Sequence, residues 1–237
     1  MVMYMNKIEL EYVEGVKYNI HCIKNDQYIS RCVKRKVEWD GWMRSILEKN
    51  YKPGTDIIDI GSNIGTNTLM FSDYGPVHSF EPVFYTIVEK NVNANELKHE
   101  VTVYPIALSN TCREVDFYMC KSTDEPDKIN HGGTSMYPQE CSDMNNKVKC
   151  LTDTLDNVYN GVPSIIKIDV EGAEMDVFNG SIDTIKKHKP FIMVEIHDYD
   201  NSEIPKFLKD VGYPLIQSIS YSNPESFPEC MYLFKPF

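Results

Sequence analysis

The run Asp56–Thr68, DIIDIGSNIGTNT, constrains this chain more than any other stretch of it. Ile57, Ile58 and Ile60 make a nearly unbroken apolar run, the pattern of a strand buried on both faces of a parallel sheet. The run passes straight into a turn bearing Gly61 and Gly65, where missing side chains let backbone bend sharply and lie against a ligand. Ile64, Leu69, Met70 and Phe71 then mark an amphipathic helix. Its first turn presents free N–H groups and partial positive charge to whatever fills the bend. Strand, glycine turn and helix in this order predict a binding loop at the carboxyl end of a strand, where open α/β sheets take their ligands.

The chemistry of the loop narrows the ligand. A dinucleotide fingerprint reads G-x-G-x-x-G, and a phosphate loop ends in Gly-Lys-Ser/Thr. Here the spacing is Gly61-x-Asn63-x-Gly65, with Asp59 two residues before the first glycine and no lysine in the loop. A carboxylate at that place repels a pyrophosphate and suits the ammonium of a zwitterionic ligand such as S-adenosylmethionine. Glu81 ends the next apolar strand (Val77, Ser79, Phe80), the position at which such folds hold ribose hydroxyls. The glycines alone fit a strand–turn–helix with no ligand. The second acid, at the matching place on the next strand, argues against that reading.

Composition sets outer bounds. The 237 residues, 42% hydrophobic and 25% charged, suit one globular α/β domain with a long extension. A net charge of −11 without an extended basic face argues against a nucleic-acid partner. The short cluster Arg31, Lys34, Arg35, Lys36 reads as a solvated face. Seven cysteines without a C-x-x-C pair are expected as reduced thiols in a cytoplasmic protein. No run approaches membrane-spanning length and no signal sequence begins the chain. A homo-oligomer stays open.

Residues 1–50 read as an extension. Ile8, Leu10, Tyr12 and Val16, Tyr18, Ile20 alternate around Glu14-Gly15 as a hairpin, and Asp40–Tyr51 has helical spacing with Asp40 as its N-cap. Trp39 and Trp42 are expected as buried packing rather than as a cleft wall. Residues 51–237 alternate strands and helices, with strands ending at Glu81, Ile106, Asp169 and Ile196 and two more near Pro214–Ile219 and Cys230–Phe234. The polar stretch Lys121–Cys141, within an insertion near 121–145, reads as a lid or acceptor-binding loop, with a plain surface insertion as the alternative. His131 within it carries little weight by itself.

Side chains two apart on a strand share a face. Asp169 with Glu171, and Glu195 with His197, therefore emerge as pairs at one end of two successive strands, beside the Asp59 turn. His197 is the first choice of general base because its unperturbed pKa lies near physiological pH, with Asp169 or Glu171 as base or as its orienting partner. The same oxygens and imidazole, above all Asp169, Glu195 and His197, offer a second reading as an Mg²⁺ or Mn²⁺ site.

The succession DIGSNIGTNT, SFEP, PIALSN, LTDTLD, IKIDVEGAE and VEIH resembles the FkbM-type methyltransferases over roughly residues 50–215. The resemblance implies a Rossmann-like class I α/β fold with a seven-stranded, mostly parallel sheet of order 3-2-1-4-5-7-6, its last strand antiparallel. It implies that Asp59, Gly61, Asn63 and Gly65 hold the methionine part of S-adenosylmethionine, Glu81 its ribose and Ala107 its adenine. Ser62, Asn67, Pro82 and Asp169 complete the expected cofactor set, and Mg²⁺ is not a mark of this family. The expected reaction is O-methylation of a sugar hydroxyl, on a free sugar, a nucleotide sugar or a glycan. The alternatives are an N-methyltransferase on an amino sugar or small amine, and a catalytically silent cofactor-binding scaffold.

Overall fold

The computed structural model describes residues 8–26, 28–121, 129–138, 142–221 and 229–236. The chain opens with a hairpin of β1 (Leu10–Glu14) and β2 (Asn19–Ile23), closed by a Gly15 N–H to Tyr18 carbonyl bond of 2.9 Å. A short helix α1 (Ile29–Lys34) follows, burying Ile29, Ser30 and Val33; the sequence reading had not found it. Helix α2 (Met43–Asn50) starts three residues later than expected, with no side-chain cap. Asp40 is therefore not an N-cap. Its backbone adopts a φ of 52°, and its side chain turns elsewhere.

The core then runs β3 (Asp56–Ile60), α3 (Thr66–Phe71), β4 (Val77–Phe80), α4 (Tyr85–Asn93) and β5 (Val101–Tyr104). After an insertion of β6 (Ala107–Leu108), β7 (Arg113–Lys121), β8 (Ile129–Ser135) and β9 (Ser142–Asp153), it resumes through α5 (Leu155–Val158), β10 (Pro163–Ile168), α6 (Glu174–Asn179) and α7 (Ile182–His188). It ends with β11 (Phe191–Glu195), α8 (Ile204–Asp210), β12 (Leu215–Tyr221) and β13 (Glu229–Phe234). The main sheet has the order β5-β4-β3-β10-β11-β13-β12, parallel except for β13, as the resemblance implied.

Alternation along the central strands divides the core between the sheet's two faces. Ile58, Ile60, Ile166 and Ile168 pack on one face with Val177, Phe178 and Ile185, while Ile57, Ile165 and Met193 pack on the other with Met43, Leu47 and Phe71. Asp59 and Lys167 stand directly opposite each other on β3 and β10, on this second face, at the carboxyl ends of the strands. Two charges there need a structural reason.

Among the described residues of the stretch expected as a polar loop, Lys121 and Ile129–Ser135 are strand. β6-β9-β7-β8 form a second, four-stranded sheet, because Val148 and Cys150 of β9 and Phe117 and Met119 of β7 point inward onto Phe84 and Ile87. Lys147 and Lys149 point outward and pair with Asp116 and Glu114. Residues 122–128 and 139–141 of that expected loop lie outside the described residues. The expectation of reduced thiols holds for Cys22, Cys32, Cys112, Cys150 and Cys230 and is corrected for Cys120, which is disulfide-bonded. No helix among the described residues is long and apolar enough to cross a membrane.

Candidate active site

The β3–α3 turn is built around a collision that only glycine avoids. At Gly61, with a φ of 76°, a Cβ would sit 1.8 Å from the Asp169 carbonyl oxygen. The bend sets Asn63 so that its N–H donates to Glu81 Oε2 at 2.9 Å, while the Val83 and Phe84 N–H groups donate to Oε1 at 2.8 and 3.0 Å. Glu81 is buried at the carboxyl end of β4. Burial pushes its carboxyl up to about 7 against the pull of those donors. Ser62 receives the Ser79 hydroxyl at 2.7 Å, and Gly65, with a φ of 85°, lets the chain enter α3.

Behind the turn lies a buried ion cluster. Lys167, 2% exposed, donates to the Gly61 carbonyl at 2.9 Å, and its Nζ lies 3.2 Å from Asp169 Oδ2 and 3.5 Å from Asp59 Oδ1. Thr68 donates to Asp59 Oδ2 at 2.6 Å. Burial works to lower the Lys167 ammonium, but Asp169, Asp59 and Asp40 outweigh it and hold the pKa raised. Burial likewise works to raise Asp169, yet Lys167 holds it below the usual carboxylate range. Asp59 is fully buried and does not reach the cavity beyond the turn. The expectation that it meets a ligand's ammonium is therefore corrected: the ammonium beside it is the chain's own Lys167.

That cavity is open and encloses about 1110 Å³, mouth included. Gly61, Ser62, Asn63, Asn67, Glu81, Pro82 and Ala107 line one side, with Phe84, Leu108 and Phe117 as apolar wall. Asp169, Glu171 and Glu195 line the far end. The insertion contributes Asn130, His131, Thr134 and Met136, and the extension contributes Tyr28, Trp39 and Asp40. Two buried polar atoms of the lining residues have no partner, Asn67 Oδ1 and His131 Nδ1. His131 lies edge-on to Phe84 at 5.6 Å, and burial pushes it down to about 4, so the ring is neutral. A glycine cradle, a buried acid on the second strand and unpaired polar atoms beside an apolar wall fit a nucleoside with an amino-acid tail.

The family model described as "Methyltransferase FkbM domain" matches residues 59–215. The chain belongs to the FkbM methyltransferase family. A curated relative, the hexuronic acid methyltransferase of Haloferax volcanii, is 29% identical over 64% of this chain and 60% of its own length. The chain thus spans less than two thirds of that relative. Among solved structures, the M. jannaschii tRNA m1G37 methyltransferase matches 97% of this chain and 57% of its own, with a TM-score of 0.54 at 12% identity. The Pyrococcus abyssi tRNA (uracil-54, C5)-methyltransferase, solved with S-adenosyl-L-homocysteine, matches 96% and 43%, with a TM-score of 0.50 at 11% identity. These likenesses fix the class I methyltransferase fold.

Within the FkbM domain, the four residues expected at the strand ends do come together. His197 Nε2 lies 3.2 Å from Glu171 Oε2, and the Glu195 carboxyl beside Asp169 helps Lys167 to hold it below the usual carboxylate range. Yet His197 is exposed and does not line the cavity. Its hydrogen bond to Glu171 pushes the imidazole up to about 9 against the effect of burial, so at neutral pH it is protonated. The reason for choosing it as base, an unperturbed pKa, does not survive the fold. The donor atoms that gather within 4.8 Å of one another are those of Glu171, Glu195 and His197, so Glu171 takes the place expected of Asp169 in a metal-capable trio. Trp39 lines the cavity, whereas Trp42 packs against the core. The sequence reading assigns Lys167 no role, takes Asp40 for an N-cap and allows His131 little weight within the expected acceptor-binding loop, from which it does line the cavity. Lys167 left a signal, a charge inside the buried run SIIKID, since a lysine there demands an anion on the next strand.

Proposed function

We propose that this enzyme transfers the methyl group of S-adenosylmethionine to a hydroxyl oxygen of a sugar. The observation that carries the reading is Glu81, a buried carboxylate facing the cavity from the end of β4, beside the Gly61 cradle. The name of the Haloferax relative supports a sugar acceptor, and the S-adenosyl-L-homocysteine bound in the Pyrococcus abyssi structure supports the donor. Glu81 accepts the ribose hydroxyls, Pro82 and Ala107 border the adenine, and Gly61, Ser62, Asn63 and Asn67 line the methionine end. When bound, S-adenosylmethionine supplies a methyl group on a sulfonium, open to in-line displacement by an oxygen.

The chain's residues align the acceptor and take its proton, and alignment alone is worth on the order of 7 to 11 kcal/mol. We assign proton acceptance to Glu171, which lines the cavity, with the protonated His197 holding it in place and Asp169 fixed by Lys167. With His197 as a cationic partner, kcat/KM stays level from neutral pH and falls as the imidazole deprotonates near 9. A rate that climbs up to that pH instead would restore His197 as the base. The direct test is a mass-based screen with labelled donor over sugars, nucleotide sugars and amino sugars, read as gain of one CH₂.

The carboxylate-lined end of the cavity also favours a second reading, N-methylation of an amino sugar, since Asp169, Glu171 and Glu195 attract an ammonium. Methylation of amines alone in that screen would select it, and no turnover with any acceptor would leave a cofactor-binding scaffold. Activity is expected to survive exhaustive chelation, and its loss would bring in Mg²⁺ at Glu171, Glu195 and His197. The reading keeps the enzyme in the cytoplasm, as the free thiols favour; the Cys120 disulfide stands against it.

A further inference from the structure

With Asp59 occupied by Lys167, the amino-acid tail of the cofactor needs another receptor, and the extension supplies one. Asp40 lies outside the stretch that matches the family, yet it lines the cavity next to Asn67. Asn67 Nδ2 donates to Asp40 Oδ2 at 3.0 Å, and the Trp42 indole N–H lies 3.3 Å from Oδ1. That first bond fixes the amide the other way round, so Asn67 Oδ1 is a pure acceptor, and it is buried without a partner. Asn67 is 5% exposed and stands in the first turn of α3, directly after the glycine turn. A carboxylate and an orphaned amide oxygen side by side call for a group that only donates.

We propose that Asp40 of the N-terminal extension and Asn67 Oδ1 together receive the α-ammonium of S-adenosylmethionine, so that the extension completes the cofactor site. The proposal rests on the S-adenosylmethionine reading above. It assigns the extension a part in gripping the donor, and it explains why an acid otherwise free to cap α2 is turned into the cavity.

The test is calorimetric titration of the full chain with two nucleosides. S-adenosylhomocysteine carries the amino-acid tail; 5′-methylthioadenosine has the same nucleoside and thioether without it. Asp40→Asn removes the charge and keeps an acceptor for Asn67. It should weaken S-adenosylhomocysteine about 10- to 100-fold, the worth of one charge-assisted hydrogen bond, while methylthioadenosine stays within about twofold. The double variant Asp40→Asn, Asn67→Asp moves the carboxylate across the 3.0 Å hydrogen bond and should recover most of the lost affinity. Equal weakening of both nucleosides would make Asp40 a merely structural residue, and unchanged S-adenosylhomocysteine affinity would place the ammonium elsewhere. Either result overturns the proposal. If the unaltered chain binds neither nucleoside, the cofactor reading itself fails and takes this assignment with it.

Discussion

Lys167 shows what one residue does here. Its ammonium offsets Asp59 and Asp169 and ties down the Gly61 carbonyl, so a single side chain holds together the strand ends on which the cavity is built. Removing one partner of a buried ion cluster leaves the others uncompensated, at a cost of about 3 to 5 kcal/mol. Lys167→Met should therefore destabilise the fold by that amount in urea titration, and a loss near zero would mean the cluster is not buried as described. Glu81 makes a prediction in pH. Its carboxyl titrates near 4.5 when unfolded and at about 7 in the fold, so the folded state holds the extra proton between those values. The stability of the free protein should fall as pH rises from about 4.5 to 7 and level off above. Affinity for S-adenosylhomocysteine should move the opposite way, since ribose hydroxyls donate to the ionised form. It should weaken about tenfold per pH unit below 7, a slope that Glu81→Gln abolishes.

Among elements, the β3–α3 corner carries the most. Gly61 and Gly65 both have positive φ, but their surroundings differ. A Cβ on Gly61 strikes the backbone of Asp169 on the neighbouring strand end, whereas one on Gly65 meets a side-chain methyl of Val88 at 3.0 Å. A methyl can give way by a few tenths of an ångström, and a carbonyl fixed by the sheet cannot. Gly65→Ala should cost about 1 to 2 kcal/mol, and Gly61→Ala should cost more than 3 kcal/mol or prevent folding. Equal melting temperatures for the two variants would contradict this. The corner was legible because its constraints are local: an apolar run, a bend and a helical period lie within Asp56–Phe71. So were the parallel strands, whose order followed from the resemblance. What stayed hidden depends on partners far along the chain. Helix α1 is only six residues long and half polar, and it exists because Ile29 and Val33 reach the hairpin core. The strand that carries His131 is polar and glycine-rich, Asn130-His131-Gly132-Gly133-Thr134, and becomes a strand only by pairing with β7. Asp40 has the sequence of an N-cap and the position of a cavity residue, because the chain turns left-handed there.

At the scale of the whole molecule, three parts of the chain close one cavity. The core sheet supplies the cradle and the acids, the inserted sheet supplies His131 and Met136, and the extension supplies Tyr28, Trp39 and Asp40. The hairpin is held against the core by Asn91, fully buried on α4, which receives the His21 N–H at 2.6 Å and donates to the Ile64 carbonyl of the glycine turn at 2.7 Å. Extension and turn thus share one side chain. Asn91→Leu should leave those backbone groups unpaired and cost about 1 to 3 kcal/mol each, seen as a lower melting temperature and a weaker grip on the nucleoside. An unchanged melting temperature would show the hairpin to be held otherwise. The central claim is that this three-part cavity takes a sulfonium-bearing nucleoside. Calorimetric titration of the unaltered protein with S-adenosylhomocysteine tests it most directly. The account predicts one-to-one binding that Glu81→Gln weakens; absence of heat with this nucleoside, together with tight binding of a dinucleotide or a nucleoside triphosphate, would contradict it.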